Sequence, residues 1–287
     1  MKSICCIGHI TLDKIVTPAQ TRYLPGGTAY YFGHAMSRLS CGNKFHLVAG
    51  LAATEMAAVD ELRSAGVDVH VVPSRKSVFF ENTYGENQNN RTQKVLSTAD
   101  AFTVDALKDV HADIFHLGSL LADDFPLEVF ESLSRRSVLS VDAQGFLRQV
   151  VGEDVRSVDW KDKRKFLQYV DILKVNEFEI KTLTGYSSPA DAGKQLAEWG
   201  VKESCITLGS YGSVIYCDDR SYTIPAYPTR VVDATGCGDT YSAGYLYKRA
   251  QGCSPEESAH FASAMSAIKL QASGPFNATE AEVAALM

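Results

Sequence analysis

The residues best suited to chemistry lie in one run, Asp233-Ala234-Thr235-Gly236-Cys237-Gly238-Asp239, preceded by Val231-Val232. An extended, apolar segment there feeds a Gly-x-Gly turn that opens a helix. Glycine lets the backbone turn tightly and lets a ligand approach the amides closely. Those amides stand at the positive end of the helix dipole, where an anion is stabilised. Gly236, Cys237 and Gly238 are therefore candidate amides for a phosphate. Asp239 follows at once. A carboxylate beside an anion hole repels phosphate, but it makes sense as a base that takes a proton from an attacking hydroxyl. It could equally cap the helix, and local physics leaves both readings open. Other glycine-rich signatures fail: no GxxxxGK[ST] occurs, and the third glycine of GxGxxG is replaced by Tyr241.

Positioning such a turn requires a sheet edge. Short apolar runs at Ser3–Ile7, Phe45–Ala49, Val67–Val72, Ile114–Leu117, Val138–Val141, Ile172–Val175 and Ser204–Leu208 read as strands. Helical stretches at Thr28–Leu39, Thr54–Ser64, Ala190–Trp199, Asp239–Ala250 and Pro255–Leu270 lie between or after them, and the first four stop at or just before a glycine. The alternation predicts an α/β fold with a mainly parallel sheet. Two segments break it. Ser77–Thr98 has β-rich ends around Glu86-Asn87-Gln88-Asn89-Asn90, a hairpin pattern, and Thr11–Leu24 is extended and polar. Both are expected to form a small β lid, from about 11–24 and 77–98, on a single domain spanning 1–287.

The 287 residues carry 28 Lys+Arg against 34 Asp+Glu, a net charge of −6. That balance argues against a general nucleic-acid binder. No run of 18 apolar residues suggests a membrane span, and the N-terminal run reads as a strand rather than an export signal, so a cytoplasmic location is expected. Seven cysteines without a CxxC read as buried apolar side chains in a reducing compartment, and no HxxxH or HExxH pairing suggests zinc.

Asp233-Ala234-Thr235-Gly236-Cys237-Gly238-Asp239 is similar to the DTxGAGD signature of the ribokinase-like, or PfkB, carbohydrate kinases, and the resemblance covers nearly the whole chain in order. Gly8-His9-Ile10-Thr11-Leu12-Asp13 resembles the family's first-strand motif, in which the Asp binds acceptor hydroxyls. Pro25-Gly26-Gly27 resembles its sugar-contacting di-glycine. Asn176-Glu177-Phe178-Glu179 resembles its NxxE motif, and Thr207-Leu208-Gly209-Ser210-Tyr211-Gly212 its nucleotide-site TxGxxG. The resemblance implies a three-layer ribokinase-like sandwich and an ATP- and Mg²⁺-dependent phosphotransferase, acting as a monomer or homodimer. Asp239 would be the base and the amides of Gly236, Cys237 and Gly238 the anion hole. Asn176 and Glu179 would organise Mg²⁺, with Glu179 acting through water. Thr207, Gly209 and Gly212 would line the nucleotide, Asp13, Gly26, Gly27 and Arg91 the acceptor, and Asp233 would support K⁺.

The pattern departs from ribokinase itself in three places. Cys237 replaces the usual Ala, Tyr31 stands near the sugar-contacting Asn, and only 13 residues separate Asp13 from Gly26. Phe80-Glu81-Asn82-Thr83-Tyr84 with Asn90-Arg91-Thr92-Gln93-Lys94-Val95 looks most like the inositol-kinase branch, as does Asp142-Ala143-Gln144-Gly145. Asp142, at a strand end, is read either as reaching the site or as capping the next turn. The expected acceptor is a small sugar or cyclic polyol such as inositol. A nucleoside kinase and a non-catalytic ligand-binding pseudokinase are the alternatives.

Overall fold

The computed structural model describes residues 1–84 and 91–287, with the side chains of Asn43, Tyr84 and Arg91 outside the description. In chain order the strands are β1 (Ile4–His9), β2 (Thr11–Val16), β3 (Thr21–Gly26), β4 (Phe45–Leu51), β5 (Asp68–Pro73), β6 (Val78–Tyr84), β7 (Arg91–Ser97), β8 (Ile114–Gly118), β9 (Val138–Asp142), β10 (Arg148–Val151), β11 (Asp154–Ser157), β12 (Ile172–Asn176), β13 (Glu203–Thr207), β14 (Ser213–Cys217) and β15 (Arg220–Ile224). The helices are α1 (Thr28–Ser37), α2 (Met56–Ser64), α3 (Leu127–Ser134), α4 (Lys163–Leu167), α5 (Glu177–Thr184), α6 (Pro189–Glu198), α7 (Cys237–Gln251), α8 (Pro255–Lys269) and α9 (Glu280–Leu286).

Nine strands form the main sheet in the order β15-β14-β13-β12-β9-β8-β1-β4-β5. Pairing is parallel from β13 to β5 and antiparallel only at the β13-β14-β15 edge. The apolar runs are continuous because both faces are covered. Along β1, Ile4 and Cys6 enter one core with Phe32, Tyr245 and Met265, while Cys5 and Ile7 enter the opposite core with Phe130, Leu173 and Leu196. Helices α1, α7 and α8 thus cover one face, and α3 and α6 the other. All seven expected strands are present in this sheet. The antiparallel edge pair β14-β15 was not anticipated.

A second sheet has the order β10-β11-β7-β6-β2-β3. Thr11–Val16 and Thr21–Gly26 pair antiparallel, as do β6 and β7, and β2 runs parallel to β6. The sheet is larger than the expected lid, because the hairpin β10-β11 joins β7 through the Asp154–Lys94 pairing. Val78, Phe80 and Val95 pack on Leu120 and Leu121 at the end of β8. Asp13 stands beside Phe80 and Ile15 beside Asn82 in register, so these residues share that packed face. β1 passes directly into β2 with only Ile10 between them, which carries the chain from the main sheet to the second.

Candidate active site

The C-terminal ends of β9 and β12 meet the N-termini of α7 and α1, the place where open α/β sheets bind ligands. Gly236 takes a left-handed conformation (φ 72°) as the N-cap of α7, so Cys237, Gly238 and Asp239 form its first turn. A Cβ on Gly236 would lie 2.3 Å from the Tyr31 ring, which makes glycine necessary there for space as well as for φ. The amides of Gly236, Gly238 and Asp239 have no acceptor among the described residues. The Cys237 amide departs from the expected anion hole: it already donates to the Ala234 carbonyl at 3.1 Å, because the loop closes on itself before the helix begins. Burial pushes the Cys237 thiol up, which disfavours the thiolate.

The N-cap of α7 is Gly236, which supplies no side-chain cap, and Asp239 stands in the first turn. Its carboxylate accepts a hydrogen bond from the Thr28 hydroxyl at the start of α1. Burial and the nearby Asp142 carboxylate raise its pKa from 3.8 to about 6, against the opposing pull of Lys174, Thr28 and Arg148. A carboxyl poised near neutrality is suited to accept a proton in the transition state.

Lys174 is the site residue that sequence reasoning missed. It projects from the middle of β12, with its Nζ 3.1 Å from Asp142 Oδ2, and both side chains are buried. A Cβ on Gly238 would lie 2.9 Å from that Nζ, so the ammonium stands against the α7 turn. Asp142, Glu179 and Asp239 together hold it charged, well above the ordinary lysine value. The signal was a lysine inside the apolar run Ile172–Val175, since lysine is almost never fully buried unless paired. Asp142 Oδ2 meets Lys174, and Oδ1 accepts from the Gln144 amide at 3.1 Å, which caps the following turn.

Asn176 and Glu179 form a capping box. Asn176 Oδ1 accepts from the amides of Phe178 and Glu179, and Glu179 Oε2 accepts from the Asn176 amide. The same box brings Glu179 to Lys174 and Asp142, and burial raises its pKa. Among the described residues no group of three His, Cys, Asp or Glu side chains could hold a metal ion. Thr207 ends β13 beside Asn176. Gly209 (φ 54°) and Gly212 (φ 93°) shape the turn into β14, and a Cβ on Gly209 would face Glu177 Oε1 at 3.5 Å.

On the acceptor side, Gly26 closes β3 against Asp13 and Thr11: a Cβ there would lie 2.6 Å from Asp13 Oδ2. Thr11 donates to Asp13 Oδ1 at 2.7 Å. Gly27 (φ 85°) is the N-cap of α1, where a Cβ would meet the His9 carbonyl. The Tyr31 phenol feels Asp13, Asp233 and Asp239, which together with burial raise its pKa far above the usual tyrosine value. Tyr31 therefore stands between Asp13 and the α7 turn. Asn82 and Gln93 face each other across β6 and β7 on the packed face of the second sheet, where Gln93 Nε2 donates a hydrogen bond to Asn82 Oδ1 at 2.9 Å. Sequence reasoning quoted both residues but gave neither a role. The side chain of Arg91 lies outside the described residues.

The position beside Asp233, expected to support K⁺, has an internal cation. Lys269 Nζ donates to the Asp233 carbonyl at 3.0 Å and lies 4.0 Å from Asp233 Oδ2. Burial lowers the pKa of Lys269 and Asp233 opposes that shift.

A sheet edge, a helix N-terminus with open amides and a carboxyl of raised pKa are the parts that a phosphotransferase acting on an alcohol would need. The model of the pfkB family of carbohydrate kinases matches residues 1–282, and the chain belongs to that family. It is 26% identical to a cytidine kinase of Thermococcus kodakarensis over 90% of this chain and 92% of that protein. It is 28% identical to Fructokinase-1 of Zea mays, covering 92% of this chain and 88% of that one. Among solved structures, a pyrophosphate-dependent kinase in the ribokinase family, complexed with a pyrophosphate analog and myo-inositol, superimposes with a TM-score of 0.88. It is 27% identical and covers 98% of this chain and 99% of that chain. The protein is thus a sugar or nucleoside kinase with a ribokinase-like fold. Among the described residues no helix is long and apolar enough to cross a membrane.

Proposed function

We propose that the protein transfers the terminal phosphoryl group of ATP, with Mg²⁺, to a hydroxyl of a small cyclic polyol of the inositol type. The observation that carries the reaction is the Asp239 carboxylate, with a pKa of about 6, beside the amides of Gly238 and Asp239, which have no acceptor among the described residues. Asp239 takes the proton of the acceptor hydroxyl as its oxygen attacks in line, and the α7 amides stabilise the charge on the transferred group. Lys174, held by Asp142, adds a fixed positive charge next to Gly238. The capping-box pair Asn176 and Glu179 fits a hydrated ion better than direct ligation, since Mg²⁺ sheds water reluctantly. Mg²⁺ would neutralise charge on the donor phosphates.

The acceptor reading rests on polar groups gathered on one side of the α7 turn. Thr11 and Asp13 are joined by a hydrogen bond, the Asn82–Gln93 amide pair shares the Asp13 face, and the Tyr31 ring stands against Gly236. Such a set of polar side chains suits a ring with several hydroxyls. The solved inositol-bound neighbour favours this acceptor. Its pyrophosphate dependence makes the donor part of the test. A nucleoside acceptor is the second reading, favoured by the likeness to cytidine kinase.

The test is steady-state kinetics with Mg-ATP and with Mg-pyrophosphate against myo-inositol, fructose, ribose and cytidine. The highest kcat/KM is expected for ATP with the cyclic polyol. A clear preference for cytidine or ribose overturns the acceptor assignment, and turnover with pyrophosphate alone overturns the donor assignment.

A further inference from the structure

The segment that leads into α7 is fastened to the end of α8. Val232 donates to the Leu270 carbonyl at 2.7 Å, and Asp233 also reaches it at 3.3 Å. Thr229 Oγ1 donates to the Ala267 carbonyl at 2.7 Å. The Thr235 amide donates to Asp233 Oδ1 at 2.9 Å, which fixes the bend just before Gly236. At the centre of this junction sits Lys269, the last residue of α8, only 2% exposed. Its Nζ donates to the carbonyls of Asp233 (3.0 Å) and Ala272 (3.3 Å), with Asp233 Oδ2 at 4.0 Å. Three oxygens from two segments thus converge on one compact positive charge.

Oxygens arranged in this way suit a weakly hydrated monovalent cation as well as an ammonium. The ammonium is a compact point charge, and here it is tethered, so its occupancy does not depend on salt. It binds the carbonyl of Asp233, three residues before Gly236. It therefore sets both the path of the anion-binding turn and part of the field at that turn.

We propose that the Lys269 ammonium is the resident monovalent cation of the anion-binding turn, so that phosphoryl transfer by this protein needs no K⁺ from solution. This inference rests on the kinase reading above for its catalytic consequence, and it replaces the K⁺ expected at Asp233. Lys269 touches no reacting atom: it is a positioning residue.

Lys269→Met tests it. Methionine ends about where the lysine Cε lies, which frees the Nζ position for an ion. Wild-type kcat is expected to agree within twofold in choline, Na⁺ and K⁺ chlorides at constant ionic strength. In choline chloride the variant should lose about 10- to 100-fold in kcat, as small displacements of a catalytic turn do. K⁺ or NH₄⁺ should restore at least a third of wild-type kcat. The melting temperature of the variant, but not of the wild type, should rise by several degrees in K⁺ over choline, since an ion that binds only the folded state stabilises it. That melting readout needs no turnover, so it stands even if the acceptor and donor assignments fail. Wild-type stimulation by K⁺ of fivefold or more overturns the proposal. So does a variant whose loss no monovalent cation restores, or one whose melting temperature ignores K⁺.

Discussion

Asp239→Asn is expected to lower kcat by about 10²- to 10⁴-fold, the usual range for a lost general base, while KM for the donor changes by only a few fold. Asparagine keeps the shape and the ability to accept from Thr28 but cannot take the hydroxyl proton. If the carboxylate served only as a cap, the change would be nearly neutral, because Asp and Asn are comparable N-caps. In the structure the N-cap of α7 is Gly236, and the Asp239 carboxylate meets the Thr28 hydroxyl. Stability should move the other way. An aspartate in the unfolded chain titrates near 3.8 and this one near 6 in the fold. Folding therefore disfavours the ionised form: the penalty is absent below pH 3.8, grows as the pH rises, and is complete above pH 6. At pH 7 the Asn variant should match or exceed wild-type stability, by up to about 2–3 kcal/mol. Denaturant unfolding measures this. A strongly destabilised variant at pH 7 would contradict it.

Lys174→Met is expected to have the second large effect, on three readouts together. It strands Asp142 and Glu179 as buried carboxylates without their shared cation, and breaking such a pair costs about 3–5 kcal/mol. It removes the positive charge beside Gly238, so kcat should fall by about 10²-fold or more. Because Lys174 lowers the pKa of Asp239, its loss should also shift the acid limb of the residual activity to higher pH. Lys174→Arg, which keeps the charge but not the compact shape, should preserve most of the stability while still impairing turnover. A Met variant as stable and as active as wild type would remove Lys174 from the site.

The parallel strands of the main sheet were legible in the sequence because they are buried on both faces and read as unbroken apolar runs, β1 above all. The hairpins β10-β11 and β14-β15 were not. Arg148–Val151 and Arg220–Ile224 mix polar and apolar residues over only four or five positions, too short to separate from loop. The helix starts at Asn176 and Gly236 were legible through their capping and glycine chemistry. Which amides remain available at the second start was not, because the Cys237–Ala234 bond depends on how the loop closes. The sequence marked Asp142 and passed over Lys174, although the two make one buried pair. A lysine gains meaning only when its neighbours in space are known, and those neighbours lie on β9, α5 and α7. The same holds for Lys269, whose partner Asp233 is 36 residues away along the chain.

The central claim is that Asp239, ionised, drives phosphoryl transfer. Its most direct test is the pH dependence of kcat/KM for the acceptor, which reports the free protein's essential groups. With donor saturating and ionic strength fixed, the account predicts activity that falls tenfold per pH unit below an apparent pKa near 6. It should level off above pH 7. A profile that stays flat from pH 7 down to pH 5 in a protein that remains folded would contradict it.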